Sequence, residues 1–155
     1  MSTTEDPTRV IESADQDWLE IPLSPGAYIK VIVADEERKQ VVFQFRFDPG
    51  TVLPRHRHKC HAIAYTVSGE WEYEGLRLPA GALAYEPVES EHTPSSEPGA
   101  ELVVFLKSET DDFLVNYMPD GSEIPMDMGF FKALEGASQA DIERLSAELT
   151  DDGAA

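Results

Sequence analysis

The chain has little cysteine, no long apolar run and no leader-like N-terminus. Cys60 is the only cysteine among 155 residues, which excludes a disulfide within the chain. No apolar stretch approaches the roughly 20 residues that a membrane-spanning helix needs. The N-terminus shows no basic region followed by an apolar one, so no secretory signal is visible. We therefore expect a cytoplasmic location and no membrane partner.

Positive charge is also scarce. The chain has 12 basic and 30 acidic side chains and a formal net charge of -18. This excess repels the phosphates of nucleic acids and anionic lipid surfaces alike. The sequence therefore predicts no nucleic-acid partner, and its acidity is typical either of an ordinary solvated surface or of a high-salt habitat.

The hydrophobic pattern is mostly that of β-strands in one domain. Short alternating or β-branched and aromatic runs are interrupted by Pro and Gly about every ten residues, which is typical of a sandwich or barrel. The predicted strands are residues 18–22, 28–34, 40–47, 62–67, 70–74, 76–78, 82–86, 101–107 and 113–117.

Only residues 138–149 have a helical pattern, with Ser138 and Asp141 forming a start like a capping box. The predicted organisation is a mobile arm at 1–17, a β-domain at 18–137, a C-terminal helix at 138–149 packed on the barrel, and a mobile tail at 150–155.

Three of the four histidines stand beside predicted strands. His56 and His58 are separated by one residue, so on a strand both imidazoles point the same way and can meet one metal ion. His92 follows another short strand. We expect these three histidines to hold one divalent metal ion.

The chain resembles the cupin superfamily in this stretch. The first cupin signature, G-x5-H-x-H-x3,4-E-x6-G, is matched by Gly50, His56, His58 and Gly69 at the right spacings. Ala62 occupies the place of the glutamate that is usually a metal ligand. The resemblance therefore implies a site reduced to the histidines alone.

The second cupin signature, G-x5-P-x-G-x2-H-x3-N, is matched by Gly81, Pro87 and His92. Glu89 and Ser96 replace its second Gly and its Asn, which affects turn geometry more than chemistry. Stretches 64–73 and 85–93 look more narrowly like the cupins related to 2,4'-dihydroxyacetophenone dioxygenase and acetylacetone dioxygenase.

The resemblance implies an all-β cupin (jelly-roll) barrel with one short C-terminal helix. It also implies a non-haem iron(II) dioxygenase that cleaves a carbon–carbon bond in a β-dicarbonyl or hydroxyketone, with an anionic or enolisable small molecule and dioxygen as partners. Zinc, nickel or manganese are the alternative metals. We expect a homodimer, because pairing covers the edges of the sheets.

Further site residues follow partly from the resemblance. Glu86 has a carboxylate where that subgroup has one, and we expect it to take the substrate's proton or to orient a ligating histidine. Tyr65 is the aromatic that the resemblance supports as a pocket residue, beside Trp71, Tyr73 and Tyr85. His61 or Cys60 is a weaker candidate for a fourth donor, although alternation places His61 on the other face.

Two other functions fit the same residues. With zinc, three histidines and a water resemble a hydrolase or lyase site. The chain is also similar to zinc-binding cupins of the anti-sigma-factor kind, which implies a non-catalytic metal-binding sensor. The replacement at Ala62 leaves a structural or storage role open as well.

Overall fold

The computed structural model describes residues 6–153, and it is built mainly from β-strands. The strands are β1 Leu19–Glu20, β2 Ala27–Asp35, β3 Gln40–Phe47, β4 Thr51–Val52, β5 Arg55–His58, β6 His61–Tyr73, β7 Leu76–Pro79, β8 Leu83–Glu86, β9 Glu91–His92, β10 Ser95–Ser96, β11 Ala100–Lys107, β12 Asp112–Tyr117 and β13 Glu123–Asp127. Two helices follow them, α1 Met128–Leu134 and α2 Gln139–Gly153.

The strands form two antiparallel sheets around one apolar core. The larger sheet has the order β1-β2-β3-β11-β6-β10-β4, and β7 and β8 also pair with β6. The smaller sheet has the order β13-β12-β5-β9. The prediction of an all-β cupin fold is confirmed, and the best-defined predicted strand, residues 40–47, coincides with β3.

Strand alternation builds the core. Val41, Phe43, Phe45 and Phe47 of β3 point inward, whereas the residues between them are partly exposed. The neighbouring strand β11 alternates in the same way. A single cluster of buried apolar residues results, in which the rings of Phe47 and Trp71 stack at 6.1 Å.

The structure contains a helix that the sequence pattern did not predict. Residues 128–134 form α1, which the pattern did not indicate because seven residues with a glycine at the second position show no clear helical period. Asp127 caps this helix by accepting a hydrogen bond from Phe130 N at 2.9 Å. The helix is held mainly by burial of Phe130, Phe131 and Leu134.

Helix α2 begins as predicted. Ser138 Oγ accepts a hydrogen bond from Asp141 N at 3.2 Å, and Asp141 Oδ2 accepts one from Ser138 N at 2.9 Å. Gln139 is paired through its amide with the backbone of Glu20, with both distances at 2.9 Å. The start of α2 is thereby tied to the edge strand β1.

The domain boundaries remain a prediction. The expected mobile arm and tail include residues 1–5 and 154–155, which lie outside the described residues. Part of the arm is in contact with the sheet, because Ser13 accepts hydrogen bonds from Lys30 Nζ at 2.8 Å and from Gln44 Nε2 at 3.2 Å. At the other end of the chain, helix α2 extends beyond the predicted last residue, 149, to Gly153.

Candidate metal centre

The strands β5 and β9 bring the three predicted histidines together. His56 lies directly opposite His92 in the β5–β9 ladder. Along β5 the histidines alternate with Arg55 and Arg57, which point away from the core and form ion pairs with Glu91 and Glu89 at 2.7 and 3.6 Å. Both His56 and His58 therefore face the interior from one strand.

Two of the imidazole nitrogens have the spacing of ligands that share an ion, and the third histidine lies close to them. His58 Nε2 lies 3.3 Å from His92 Nε2, and one ligand atom from each of the three histidines lies within 4.8 Å of the others. Two nitrogens bound at about 2.1 Å to one metal are separated by about 3.0–3.4 Å. The three histidines could thus hold a metal ion.

The histidines are enclosed by protein. His58 and His92 are buried, and the ring of His56 faces the same interior although the residue as a whole is partly exposed. Burial is the main reason that the pKa values of His56 and His58 are lowered to about 3, and neighbouring imidazoles add to this effect. Both rings are neutral at pH 7, which leaves a nitrogen lone pair for a metal.

A tight turn fixes the position of His58. His58 N donates to Ser90 O and Glu89 N donates to His58 O, both at 2.8 Å. Glu89 adopts a φ of 79° there, in the left-handed region that favours glycine. Glu89 therefore adopts, with backbone strain, a conformation that suits the glycine of the cupin signature at this position.

Glu86 is the carboxylate of the site. It ends β8, is 5% exposed, and places Oε2 3.0 Å from His92 Nε2 and 3.9 Å from His58 Nε2. Oε2 is buried without a hydrogen bond of good geometry. In the β6–β8 ladder Glu86 is the direct partner of Ala62. The neighbouring strand therefore places a carboxylate beside the three histidines, although Ala62 itself offers none.

Tyr73 and Cys60 complete the surroundings of this carboxylate. The ring of Tyr73 stacks on His92 with centroids 4.1 Å apart and planes 16° from parallel. Burial, followed by the charge of Glu86, raises the pKa of Tyr73. The same two causes raise the pKa of Cys60 to about 12, so Cys60 stays a neutral thiol at pH 7.

An apolar cavity opens onto the histidines. Its volume is about 130 Å³, and its walls come from both sheets and from α2, through Ser146 and Leu149. Glu86 is the one carboxylate in the lining, and no lysine or arginine of the described residues lines it. Trp71 contributes to the wall as expected, and its Nε1 donates to Thr66 Oγ1 at 2.8 Å.

Several predicted site residues lie elsewhere. Tyr65 is 45% exposed on the outer face of β6, so its assignment to the pocket is corrected. Tyr85 is 67% exposed on the outer face of β8 and also lies away from the cavity. His61 is exposed at the start of β6 and does not belong to the histidine cluster, as strand alternation indicated.

Asn116 is a residue of the site that the sequence did not single out. It lies opposite His56 in the ladder between β5 and β12, lines the cavity, and donates to Ile124 O at 3.3 Å. Asn116 is two residues after the inward-facing Leu114 and so lies on the same face of β12. A polar residue at such a position is the signal that could have identified it.

Known structures resemble this architecture. A cupin-like protein of unknown function from Ralstonia eutropha JMP134 is 25% identical, with a TM-score of 0.72 over 96% of this chain and 91% of its own. An acetylacetone dioxygenase from Acinetobacter johnsonii is 12% identical, with a TM-score of 0.73 over 86% and 95%. The anti-sigma factor ChrR, solved with SigE of Rhodobacter sphaeroides, is 20% identical, with a TM-score of 0.53 over 62% and 52%.

No helix of the described residues is long and apolar enough to cross a membrane.

The family follows from the sequence match. Among curated protein sequences, none matches this chain. The family model of the ChrR cupin-like domain, Cupin_7, matches residues 6–110, which is more than half of the chain. The chain therefore belongs to the ChrR cupin-like domain family of the cupin superfamily.

Proposed function

We propose that this protein is a non-haem iron(II) dioxygenase that cleaves a carbon–carbon bond in a β-dicarbonyl or hydroxyketone. The observation that carries the proposal is a cluster of three imidazoles that line an apolar cavity, with one carboxylate beside it. The likeness in fold to an acetylacetone dioxygenase supports it.

The three histidines would hold the metal. Neutral ligands leave the full +2 charge of a divalent ion, which favours an anionic, chelating oxygen pair. Iron(II) held there would supply adjacent open positions and the redox chemistry that lets an enolate react with dioxygen. The apolar walls of the cavity exclude water from that reaction.

Glu86 would accept the proton that the substrate loses on enolisation. Its Oε2 lies 3.0 Å from His92 Nε2 and 3.9 Å from His58 Nε2, and it is buried without a hydrogen-bond partner. A carboxylate within reach of the chelated carbon skeleton is the arrangement that general-base catalysis needs. Asn116, whose side chain also lines the cavity, is placed to orient a substrate oxygen.

The cavity favours a small substrate that is neutral when it enters. Its lining is almost wholly apolar, and its 130 Å³ is below the roughly 300–1,000 Å³ of typical drug-sized pockets. An anion would lose hydration along the apolar walls, which carry no basic residue, before it reaches the metal. An enolisable ketone that becomes anionic only inside the site avoids this cost.

Metal analysis combined with oxygen uptake tests the proposal. Protein purified without oxygen should contain about one iron per chain and consume oxygen when mixed with short, neutral β-dicarbonyls. His56→Ala should lose the metal, whereas His61→Ala, which removes the exposed histidine outside the cluster, should retain it. A chain that binds no divalent metal, or His56→Ala protein that binds it as well as wild type, would overturn the metal site.

A zinc-binding sensor is the second candidate function, because the chain belongs to the ChrR cupin-like domain family. The match to ChrR itself covers 52% of that protein. Zinc that is tightly held, with no oxygen uptake by iron-loaded protein on any β-dicarbonyl or hydroxyketone tried, would favour the sensor. A zinc-bound water that hydrolyses a substrate in the same cavity would instead indicate a hydrolase or lyase.

A further inference from the structure

The outer face of the larger sheet carries apolar side chains in two rows across four neighbouring strands. The rows run β3–β11–β6–β8, and their members are direct partners in the ladders. This outer patch consists of Val42, Phe105, Ile63 and Tyr85 in one row and Gln44, Val103, Tyr65 and Leu83 in the other. Seven of the eight are apolar or aromatic.

The outer patch is large for an exposed apolar surface. Ile63, Tyr65, Leu83 and Tyr85 are 37%, 45%, 58% and 67% exposed. With the partly exposed members, the patch offers on the order of 600 Å², the upper end of what monomers usually expose. A standard protein interface buries about 800 Å² from each partner. The outer patch alone would supply most of that area.

Opposite charges stand at the two ends of the outer patch. On β11 the outward-facing residues run from Glu101, through Val103 and Phe105, to Lys107. Arg46 lies beside Glu101 but is stacked on the rings of Tyr28 and Trp18. The pattern is therefore acidic, apolar and basic along about 20 Å of strand.

We propose that the outer patch is the interface of a homodimer, formed with a second copy of this chain. Two chains of net charge -18 repel each other least where they meet on a surface that is itself uncharged, and this patch is one. The strands of the two copies run antiparallel across a two-fold axis, which places Glu101 of each chain against Lys107 of the partner copy. A parallel arrangement would oppose like charges.

Two leucines of equal exposure provide a matched test. Leu83 in the outer patch is 58% exposed, and Leu76 on β7, outside it, is 59% exposed. By light scattering, wild-type protein at micromolar concentration should have twice the 17.2 kDa mass of one chain. Leu83→Lys should be monomeric, with a dissociation constant at least about 100-fold higher, whereas Leu76→Lys should stay dimeric. Monomeric wild type, or a dimeric Leu83→Lys, would overturn the proposal.

A charge exchange tests the antiparallel arrangement without touching the apolar patch. Glu101→Lys and Lys107→Glu should each raise the dissociation constant, because each places two like charges together in the dimer. The double variant Glu101→Lys/Lys107→Glu should restore the wild-type value. Single and double variants that weaken the dimer additively would contradict this arrangement.

Discussion

Ala62 and Glu86 face each other across β6 and β8, and both point into the protein beside the histidine cluster. The cupin signature expects a carboxylate at position 62, yet here the carboxylate stands on the strand next to it. Direct partners in an antiparallel ladder have Cβ atoms about 4.5–5.5 Å apart, so a longer side chain can reach the same volume from either strand. The site therefore keeps a carboxylate although its signature position is alanine.

Replacing Glu86 by Gln should separate proton transfer from metal binding. Gln is similar in shape but is not basic, so the turnover rate in oxygen uptake should fall by about 10²–10⁴-fold. The metal content should stay near one per chain, because the three histidines remain. Metal analysis and oxygen uptake on the same preparation check this.

The same variant has a stability readout that does not depend on activity. Glu86 Oε2 is buried without a good hydrogen bond, so Glu86→Gln should raise the free energy of unfolding of metal-free protein by about 1–3 kcal/mol. Loss of both metal and oxygen uptake in Glu86→Gln would contradict the assignment of Glu86 as a base and would indicate that it is a metal ligand.

Tyr73 should matter to the metal site through its ring. Tyr73→Ala removes the face that stacks on His92 at 4.1 Å, and we expect metal affinity to fall about 10–100-fold. Tyr73→Phe, which keeps the ring, should bind metal nearly as well as wild type. Tyr65→Ala is the control, because Tyr65 lies on the outer face of β6. Titration with a divalent metal compares the three, and equal losses in Tyr73→Ala and Tyr65→Ala would contradict this role.

A β-bulge in β6 explains why strand alternation predicts the wrong face for Tyr65 relative to Tyr73. Their positions differ by an even number, so simple alternation places them on one face of the strand. The ladder with β11 pairs Thr66 with Leu102 and Ser68 with Glu101, which leaves Val67 as an extra residue. This bulge reverses the alternation, so Tyr65 faces outward and Trp71 faces inward.

The sequence predicts local features of the chain, but it does not predict which strands pair or in which register. His56 and His58 are two apart on a short strand, so their common direction follows from strand geometry alone. The closeness of Glu86 to His92 depends on which strands pair and in which register, and neither is encoded within either segment. Helix α1 is missed for a related reason, since burial of Phe131 and Leu134 decides it rather than helix propensity.

Helix α2 should limit the size of the substrate. Leu149 lines the cavity, whereas Leu145 of the same helix packs on the core without lining it. Leu149→Ala should therefore raise kcat/KM for β-dicarbonyls one or two carbons longer, relative to the shortest substrate, by about 10-fold or more. Leu145→Ala should not change that ratio, although each variant costs about 2–3 kcal/mol of stability. A ratio that moves equally in both would show that α2 does not set the size limit.

Glu89 should be replaceable by Gly with a gain in stability. Its φ of 79° lies in the left-handed region, where a residue with a side chain is strained by about 1 kcal/mol or more and glycine is not. The ion pair with Arg57 at 3.6 Å is exposed and contributes little. Glu89→Gly should raise the free energy of unfolding by about 0.5–1 kcal/mol.

Glu89→Ala distinguishes backbone strain from loss of the ion pair. Alanine removes the same charge but keeps the strain, so it should give no gain in urea-induced unfolding. If both variants were equally stabilised, relief of acidic repulsion rather than of strain would explain the effect. The turn holds His58 through two backbone hydrogen bonds of 2.8 Å, from His58 N to Ser90 O and from Glu89 N to His58 O. Neither bond involves the side chain of residue 89, so Glu89→Gly should also retain the metal as tightly as wild type.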